Sequence, residues 1–142
     1  MAIDRRTFLC VAAGAAAAGL AGGCASVALM PVTPVNDMIR LPLASYPQLA
    51  EAGGFVRMRS TLDGRPIYVL ALADGSYAAL SPICTHRGCT VDVAGDHLLC
   101  PCHGSMYDRK GRVMRGPAER ALRQFPTSLV AGDELVIRTG GT

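Results

Sequence analysis

The chain has 142 residues, enough for one small domain, and half of them are hydrophobic. Its net charge is +3, it contains no Trp, and only 5% of its residues are aromatic. This composition offers no stacking platform or strongly basic surface, so we exclude nucleic acid as a partner and expect a small exported or membrane-attached domain.

Residues 1–30 have the composition of an export signal or a membrane anchor. Arg5 and Arg6 precede an uncharged stretch, rich in Ala and Gly, that runs from Phe8 to Met30. The segment DRRTFLC resembles a twin-arginine export signal, and the apolar stretch reaches the roughly 20 residues that a bilayer-spanning helix needs. We therefore predict a domain on the periplasmic side of a bacterial cytoplasmic membrane.

The form of attachment stays open between three outcomes. The segment LAGGC resembles a bacterial lipobox, which would make Cys24 the site of a lipid anchor. A retained helical anchor and a cleaved signal that releases a soluble periplasmic domain are the other two. Residues 31–37, which contain two prolines and show no amphipathic period, are predicted to be an extended linker before a domain at 38–142.

The domain shows strand patterns almost throughout. Val56 and Met58 alternate with arginines, the period of a half-buried strand, and PIYVLAL is a continuous apolar run. Asp63–Gly64 and Asp74–Gly75 stand between such runs, where the Asp-Gly pair predicts tight type I′ hairpin turns. No long helical period follows residue 40. The sequence predicts an all-β, mainly antiparallel domain.

Two short segments hold most of the metal-binding side chains. CTHRGC at 84–89 and CPCHGS at 100–105 contain four of the six cysteines and two of the three histidines. A structural zinc ion would use four such ligands, but these segments offer six. A zinc-stabilised binding module is therefore one open interpretation of the pattern, and it leaves two thiols unexplained.

The pair CTHRGC and CPCHGSMY resembles the signature of Rieske iron–sulfur proteins, of the high-potential type found in cytochrome bc complexes. RGPA at 115–118 resembles the third, proline-containing loop of that family. The resemblance implies a small all-β domain with an inserted cluster-binding subdomain, here at about 81–118. It also implies one [2Fe–2S] cluster per chain.

The resemblance assigns a role to each residue of the two segments. It makes four residues the iron ligands: Cys84, His86, Cys100 and His103. It pairs Cys89 with Cys102 in a disulfide. It makes Ser105 and Tyr107 donors of hydrogen bonds to sulfur. It places Gly104 and Pro117 close to the cluster. Two neutral imidazoles in place of two thiolates leave the oxidised cluster near zero charge, which favours its reduction.

The resemblance further implies one-electron transfer as the iron–sulfur subunit of a quinol–cytochrome c oxidoreductase. Its partners would be a cytochrome b, a cytochrome c and a quinol, and we expect no catalytic residues and no enzyme activity of the chain alone. Arg87 departs from the Leu usual at this position, and burying an unpaired charge in an apolar partner pocket would be costly. The alternative is therefore the small electron-transfer subunit of a periplasmic molybdenum oxidoreductase of the arsenite oxidase type, beside a large molybdopterin subunit.

Overall fold

The computed structural model describes residues 29–140, and almost all of its regular structure is β-strand. The strands are β1 Met30–Val32, β2 Met38–Pro42, β3 Phe55–Ser60, β4 Pro66–Ala71, β5 Tyr77–Leu80, β6 Asp92–Ala94, β7 His97–Leu99, β8 Met106–Asp108, β9 Val113–Arg115, β10 Gln124–Phe125, β11 Thr127–Val130 and β12 Glu134–Arg138. Two single 3₁₀ turns, Leu43–Ser45 and Pro47–Leu49, lie between β2 and β3. The prediction of an all-β domain is confirmed.

The strands form three sheets. The large sheet has the order β1-β3-β4-β5-β10, the small sheet β11-β12-β2, and the inserted sheet β6-β7-β8-β9. Strands pair antiparallel except β1 and β3, which pair parallel. The inserted sheet comes between β5 and β10 in the sequence, so the predicted insertion of a subdomain near the middle of the chain is confirmed.

Strand β4 lies in the middle layer and is buried on both faces. Ile67 and Val69 pack into a core shared with the small sheet, whereas Tyr68 and Leu70 pack into a second core shared with the inserted sheet. A strand covered on both faces needs apolar side chains at every position, which explains the continuous run PIYVLAL. Each fully buried aliphatic side chain in these cores stabilises the fold by about 1.5–3 kcal/mol.

The two Asp-Gly turns differ from the tight hairpins predicted. The loop from β3 to β4 and the loop from β4 to β5 each lie between strands that end and begin several residues apart, and only the glycines adopt positive φ. Asp63 Oδ1 accepts the N–H of Arg65, and Asp74 Oδ1 accepts the N–H of Ser76. The aspartates thus act as side-chain acceptors within longer loops, a local bond that replaces the left-handed backbone of a type I′ turn.

The segment predicted as a linker is instead partly folded into the sheets. Strand β1 extends through Val32 and pairs with β3, so the start of 31–37 is sheet. Asn36 and Asp37 both have positive φ, and Val35 and Met38 exchange backbone hydrogen bonds across them. This is the conformation of a type I′ turn, and Asn is among the residues that tolerate it best. Residues 31–37 thus pair with the domain over part of their length.

One arginine holds the inserted sheet against the rest of the domain. Arg109 follows β8 and donates to the carbonyl oxygen of Gly95 at 2.6 Å. It also donates to the carbonyl oxygens of Gly53 and Gly54, at 2.8 and 2.9 Å, in the loop before β3. The guanidinium group therefore bridges two segments that are far apart in the sequence. The ammonium group of a lysine lacks the planar fork that makes these several bonds at once.

The predicted signal or anchor lies almost wholly outside the described residues. Within residues 29–140, no helix has the length and apolar character needed to cross a membrane. The boundaries assigned to the N-terminal segment and the start of the domain stay predictions.

Candidate metal centre

The two cysteine–histidine segments fold into two loops with the same backbone pattern. In the first loop, which precedes β6, Cys84 N–H donates to Cys89 O and Gly88 N–H donates to Cys84 O. The second loop joins β7 to β8 and repeats the pattern from Cys100, with Gly104 in the place of Gly88. Both glycines have φ near +77°, at +78° and +76°. Each loop thus needs glycine four residues after its first cysteine, because other residues pay for that backbone conformation.

The loops bring two free cysteines and two histidines to one end of the inserted sheet. Cys84 and Cys100 are 2% and 1% exposed, and neither forms a disulfide. The rings of His86 and His103 lie edge to face with their centroids 4.9 Å apart. His103 is exposed, whereas His86 is half-buried. Thiols on the inner side and imidazoles on the outer side form one donor set open to the surface.

An unpaired buried atom indicates what this donor set can hold. Nδ1 of His86 is buried and has no hydrogen-bond partner within the described part of the chain. A buried polar atom without a partner is costly, and a metal ion is one partner that would satisfy it. Two soft thiols beside two imidazoles suit iron–sulfur chemistry, so the residues present fit a [2Fe–2S] cluster.

The remaining two cysteines join the loops covalently. Cys89 and Cys102 form a disulfide, as the family resemblance implied. The sulfur atoms of Cys89, Cys100 and Cys102 lie within 4.8 Å of one another. Two of these sulfurs are bonded to each other, so only Cys100 of the three can ligate a metal. The disulfide leaves two thiols and two imidazoles as the available donors.

Tyr107 on β8 is completely buried and reaches the first loop. Its hydroxyl lies 3.2 Å from Cys84 Sγ and accepts the N–H of Thr85 at 3.2 Å. Thr85 Oγ1 donates its own hydrogen to Arg120 O at 2.6 Å, so it can only accept from Tyr107, from which it is 3.2 Å away. When Cys84 is a thiolate it has no hydrogen to donate, and the tyrosine hydrogen is then shared between Cys84 Sγ and Thr85 Oγ1.

Ser105 is also completely buried, and its hydroxyl oxygen accepts the N–H of Ala118 at 3.0 Å. That contact occupies a lone pair and leaves the hydroxyl hydrogen to be donated elsewhere. A hydrogen bond with Ser105 is among the contacts that lower the pKa of Cys84. Ser105 and Tyr107, both singled out from the sequence, thus reach the sulfur of the same cysteine.

The two free thiols differ in acidity although they occupy equivalent loop positions. Burial raises the pKa of the Cys100 thiol above its ordinary value. Burial acts in the same direction on Cys84, but hydrogen bonds from the Tyr107 hydroxyl and the backbone of His86 outweigh it, so the pKa of Cys84 is lowered. Burial, followed by the contact with Cys84, raises the pKa of Tyr107.

A third segment, residues 115–120, closes the site from the side. Ala118 bonds Ser105, Arg120 O accepts from Thr85, and Arg115 donates to Gly104 O at 3.1 and 3.3 Å. Pro117, placed here by the family resemblance, is exposed and follows a cis peptide bond. The sequence reasoning missed Thr85, although a hydroxyl between the first cysteine and histidine was a visible signal.

Comparison with known sequences gives the same result from independent data. A family model for the Rieske [2Fe-2S] domain matches residues 42–126. The cytochrome b6-f complex iron-sulfur subunit of Synechococcus elongatus is 40% identical over 79 residues, covering 53% of this chain and 44% of that protein. The cytochrome b6-f complex iron-sulfur subunit 1 of Synechocystis is 37% identical over 99 residues, covering 67% of this chain and 56% of that protein. The chain spans about half the length of these curated relatives.

Solved structures show the same likeness. The cyanobacterial plasma membrane Rieske protein from Synechocystis matches with a TM-score of 0.51 and 30% identity, covering 58% of this chain and 84% of that one. The quaternary ammonium Rieske monooxygenase CntA matches with a TM-score of 0.56 and 18% identity, covering 66% of this chain and 31% of that one. At this identity the likeness shows the fold alone. The family match covers more than half of the chain and includes both loops of the site, so this chain belongs to the Rieske [2Fe–2S] family and carries a [2Fe–2S] cluster.

Proposed function

We propose that the chain is the electron-transferring iron–sulfur subunit of a quinol-oxidising complex of the cytochrome bc type. The observation that carries this proposal is the donor set, which combines two buried thiols with two imidazoles, one half-buried and one exposed. Curated relatives named as cytochrome b6-f complex iron-sulfur subunits support it. The partners in this proposal are a cytochrome b and a cytochrome c.

The ligand assignment is part of the proposal. Cys84 and Cys100 would hold the inner iron through Sγ, and His86 and His103 the outer iron through a ring nitrogen. For His86 the buried, unpartnered Nδ1 is the atom available to the metal, which leaves Nε2 for a proton. The cluster, when bound, supplies one-electron redox chemistry at a potential raised by its two neutral ligands.

The protein's own residues would do three things in this role. The exposed face of His103 admits a second molecule to the edge of the site. A ring nitrogen that does not bind iron can hold a proton, so an imidazole there can accept one when a quinol is oxidised. Tyr107 and Ser105 donate hydrogen bonds toward sulfur, which stabilises added negative charge.

The full-length protein expressed in a bacterium with its native complex would test this function. We expect two irons and two acid-labile sulfides per chain, and co-purification with a cytochrome b that transfers electrons from quinol to a cytochrome c. Replacing His103 by Cys or Ala should abolish that turnover, while the matched change His97→Ala should not. Co-purification with a large molybdopterin subunit instead would contradict the assignment, and a single zinc per chain would contradict the cluster.

We also propose that the chain is exported by the twin-arginine route and tethered at the periplasmic side of the membrane. A cluster assembled in the cytosol requires that the domain cross the membrane already folded. Changing Arg5 and Arg6 together to Lys should leave the protein in the cytoplasm. For the lipid anchor, Cys24→Ala should release the domain from the membrane fraction, whereas Cys10→Ala should not. Unchanged export of the Arg5 and Arg6 variant would contradict the twin-arginine route. Unchanged membrane attachment of Cys24→Ala would contradict the lipid anchor.

A further inference from the structure

Three exposed arginines lie in the segments that carry or contact the two histidines, one in the first loop and two in the third segment. Arg87 directly follows His86 in the first loop. Arg115 is bonded through its guanidinium to Gly104 O, next to His103. All three side chains are exposed, including that of the third, Arg120. We call these residues the arginine rim: Arg87, Arg115 and Arg120.

Arg120 belongs to the rim because its backbone is tied to the first loop. Its carbonyl oxygen accepts the hydroxyl hydrogen of Thr85, the residue just before His86, at 2.6 Å. Each rim arginine is therefore placed by a covalent neighbour or a backbone hydrogen bond within one residue of a histidine. The backbone positions of all three arginines, and the guanidinium of Arg115, are thus set by the fold of the site.

Most other basic side chains within residues 29–140 form ion pairs with carboxylates, and the rim arginines do not. Five other basic residues each form an ion pair with a carboxylate: Arg40, Arg57, Arg65, Lys110 and Arg112. Among residues 29–140, no ion pair of this kind involves a rim arginine. Arg59 and Arg138 are also outside these pairs, but they lie on β3 and β12, not in the loops.

The local charge at the rim is therefore positive and little compensated. The acidic residue within the third segment is Glu119, which is exposed beside Arg120. An oxidised cluster with two thiolate and two neutral imidazole ligands has a net charge near zero, so it would not offset the arginines. A rim of uncompensated charge around a redox site attracts molecules of opposite sign and accelerates their association by about 10- to 1,000-fold at low salt.

We propose that the arginine rim docks an acidic surface of the protein that exchanges electrons with this site. The partner would present carboxylates around its own redox centre, because an arginine fork binds a carboxylate through two parallel hydrogen bonds. This inference rests on the electron-transfer function proposed above and names the charge of one partner. Three charges that extend from a fixed backbone match the discrete carboxylates of a folded protein better than laterally mobile lipid headgroups.

The test uses the full-length, cluster-loaded protein and two probes of equal size. One probe is a small c-type cytochrome of net negative charge, and the other is a small c-type cytochrome of net positive charge. The rim variant carries Arg87→Gln, Arg115→Gln and Arg120→Gln. The control variant carries Arg40→Gln, Arg59→Gln and Arg138→Gln, so it has the same net charge with the rim intact. Binding is measured by co-elution, and electron transfer by stopped flow.

For the wild type we expect electron transfer to the acidic cytochrome to slow at least about tenfold between 10 mM and 150 mM salt, as the screening length falls from about 30 to 8 Å. At 10 mM salt the rim variant should be slower than the wild type by about tenfold or more, and the control variant by less than about twofold. Lysines at the three rim positions should restore much of the rate. The basic cytochrome should show neither the rim dependence nor the loss with salt.

Equal rates for the rim and control variants would overturn the proposal, as would a basic cytochrome that binds more tightly than the acidic one at low salt. Rim-dependent binding to phosphatidylglycerol vesicles, with none to the acidic cytochrome, would overturn it in favour of a lipid surface. Should the rim variant lose iron, the double variant of Arg87 and Arg120 carries the same test, because neither side chain bonds the loops. If the complex does not turn over quinol but the acidic cytochrome still binds in a rim-dependent way, the proposed function is refuted and the docking proposal stands.

Discussion

Removing the Tyr107 hydroxyl should lower the reduction potential of the cluster without displacing it. Tyr107→Phe deletes one oxygen from a completely buried ring whose hydroxyl lies 3.2 Å from Cys84 Sγ. Reduction makes the sulfur more negative, so a donated hydrogen bond stabilises the reduced state more than the oxidised state. Without that bond, reduction becomes less favourable.

The size of the shift follows from the strength of the bond and from its sharing. A hydrogen bond to a charged group contributes about 1.5–3 kcal/mol. One electron across 100 mV corresponds to about 2.3 kcal/mol, so a bond that is half to wholly specific for the reduced state is worth roughly 30–130 mV. The Tyr107 hydrogen is divided between Cys84 Sγ and Thr85 Oγ1, both at 3.2 Å. We therefore expect the lower half of that range, about 30–80 mV.

Ser105→Ala provides the comparison within the same site. The Ser105 oxygen accepts the Ala118 N–H, and no second acceptor competes for its hydrogen in the contacts described for residues 29–140. The reduction potential of the Ser105→Ala variant should therefore fall by at least as much as that of Tyr107→Phe. Tyr77→Phe is the matched control, because its hydroxyl contacts Leu49 O in the other core at 3.4 Å.

Direct electrochemistry on the three variants, with iron content measured in each, checks these values. Tyr77→Phe should leave the potential within about 10 mV of the wild type. Shifts below about 10 mV in both Ser105→Ala and Tyr107→Phe would show that these hydroxyls do not reach the cluster. A rise in potential would refute the sign of the argument. Tyr107→Phe should also cost about 1–3 kcal/mol of stability, because the Thr85 N–H loses its acceptor.

Changes at four further places in the fold test the scaffold. Replacing Cys89 and Cys102 by Ser should lower the free energy of unfolding by about 3 kcal/mol, the loop-closure value for a separation of 13 residues; unchanged thermal melting would contradict this. Arg109→Met removes three bonds to backbone carbonyls and should cost about 2–4 kcal/mol in urea denaturation, with Arg109→Lys intermediate. Gly75→Ala, at φ +79° in open space, should cost about 1–2 kcal/mol. Gly111→Ala, at φ +82° with Leu side chains 3.1 and 3.2 Å from the new Cβ, should cost about 1–3 kcal/mol more by the same assay, and equal costs would refute the crowding.

The proposed ligand set rests on a family resemblance that short, local segments of the sequence carry. Each loop runs over six residues, and its hydrogen bonds connect positions four and five apart, so the spacing of cysteine and glycine largely determines the backbone. The apolar run of β4 and the alternation of β3 likewise report which faces are covered. These patterns were sufficient for the all-β fold, whereas the inserted subdomain was predicted from the family resemblance.

Local patterns were misleading where a competing contact decided the backbone. Asp63 and Asp74 satisfy nearby N–H groups with their side chains, which favours longer loops than the Asp-Gly pair suggested. Residues 31–37 looked like a linker because a short parallel strand has no periodicity of its own. The backbone of this short strand is held by its pairing with β3, which joins residues that are far apart in the chain.

The family resemblance assigned residues 115–118 to a third loop, but only the tertiary structure shows the contacts that join this segment to the other two loops. Thr85 and Arg120, and likewise Ser105 and Ala118, bond across turns whose path no local pattern specifies. The sequence therefore determined which atoms are able to hold the cluster, since ligand chemistry depends on residue type and short spacing. The fold decided which hydroxyls reach the sulfur and which arginines of the third segment lie next to the loops, because those contacts depend on how separate segments pack together.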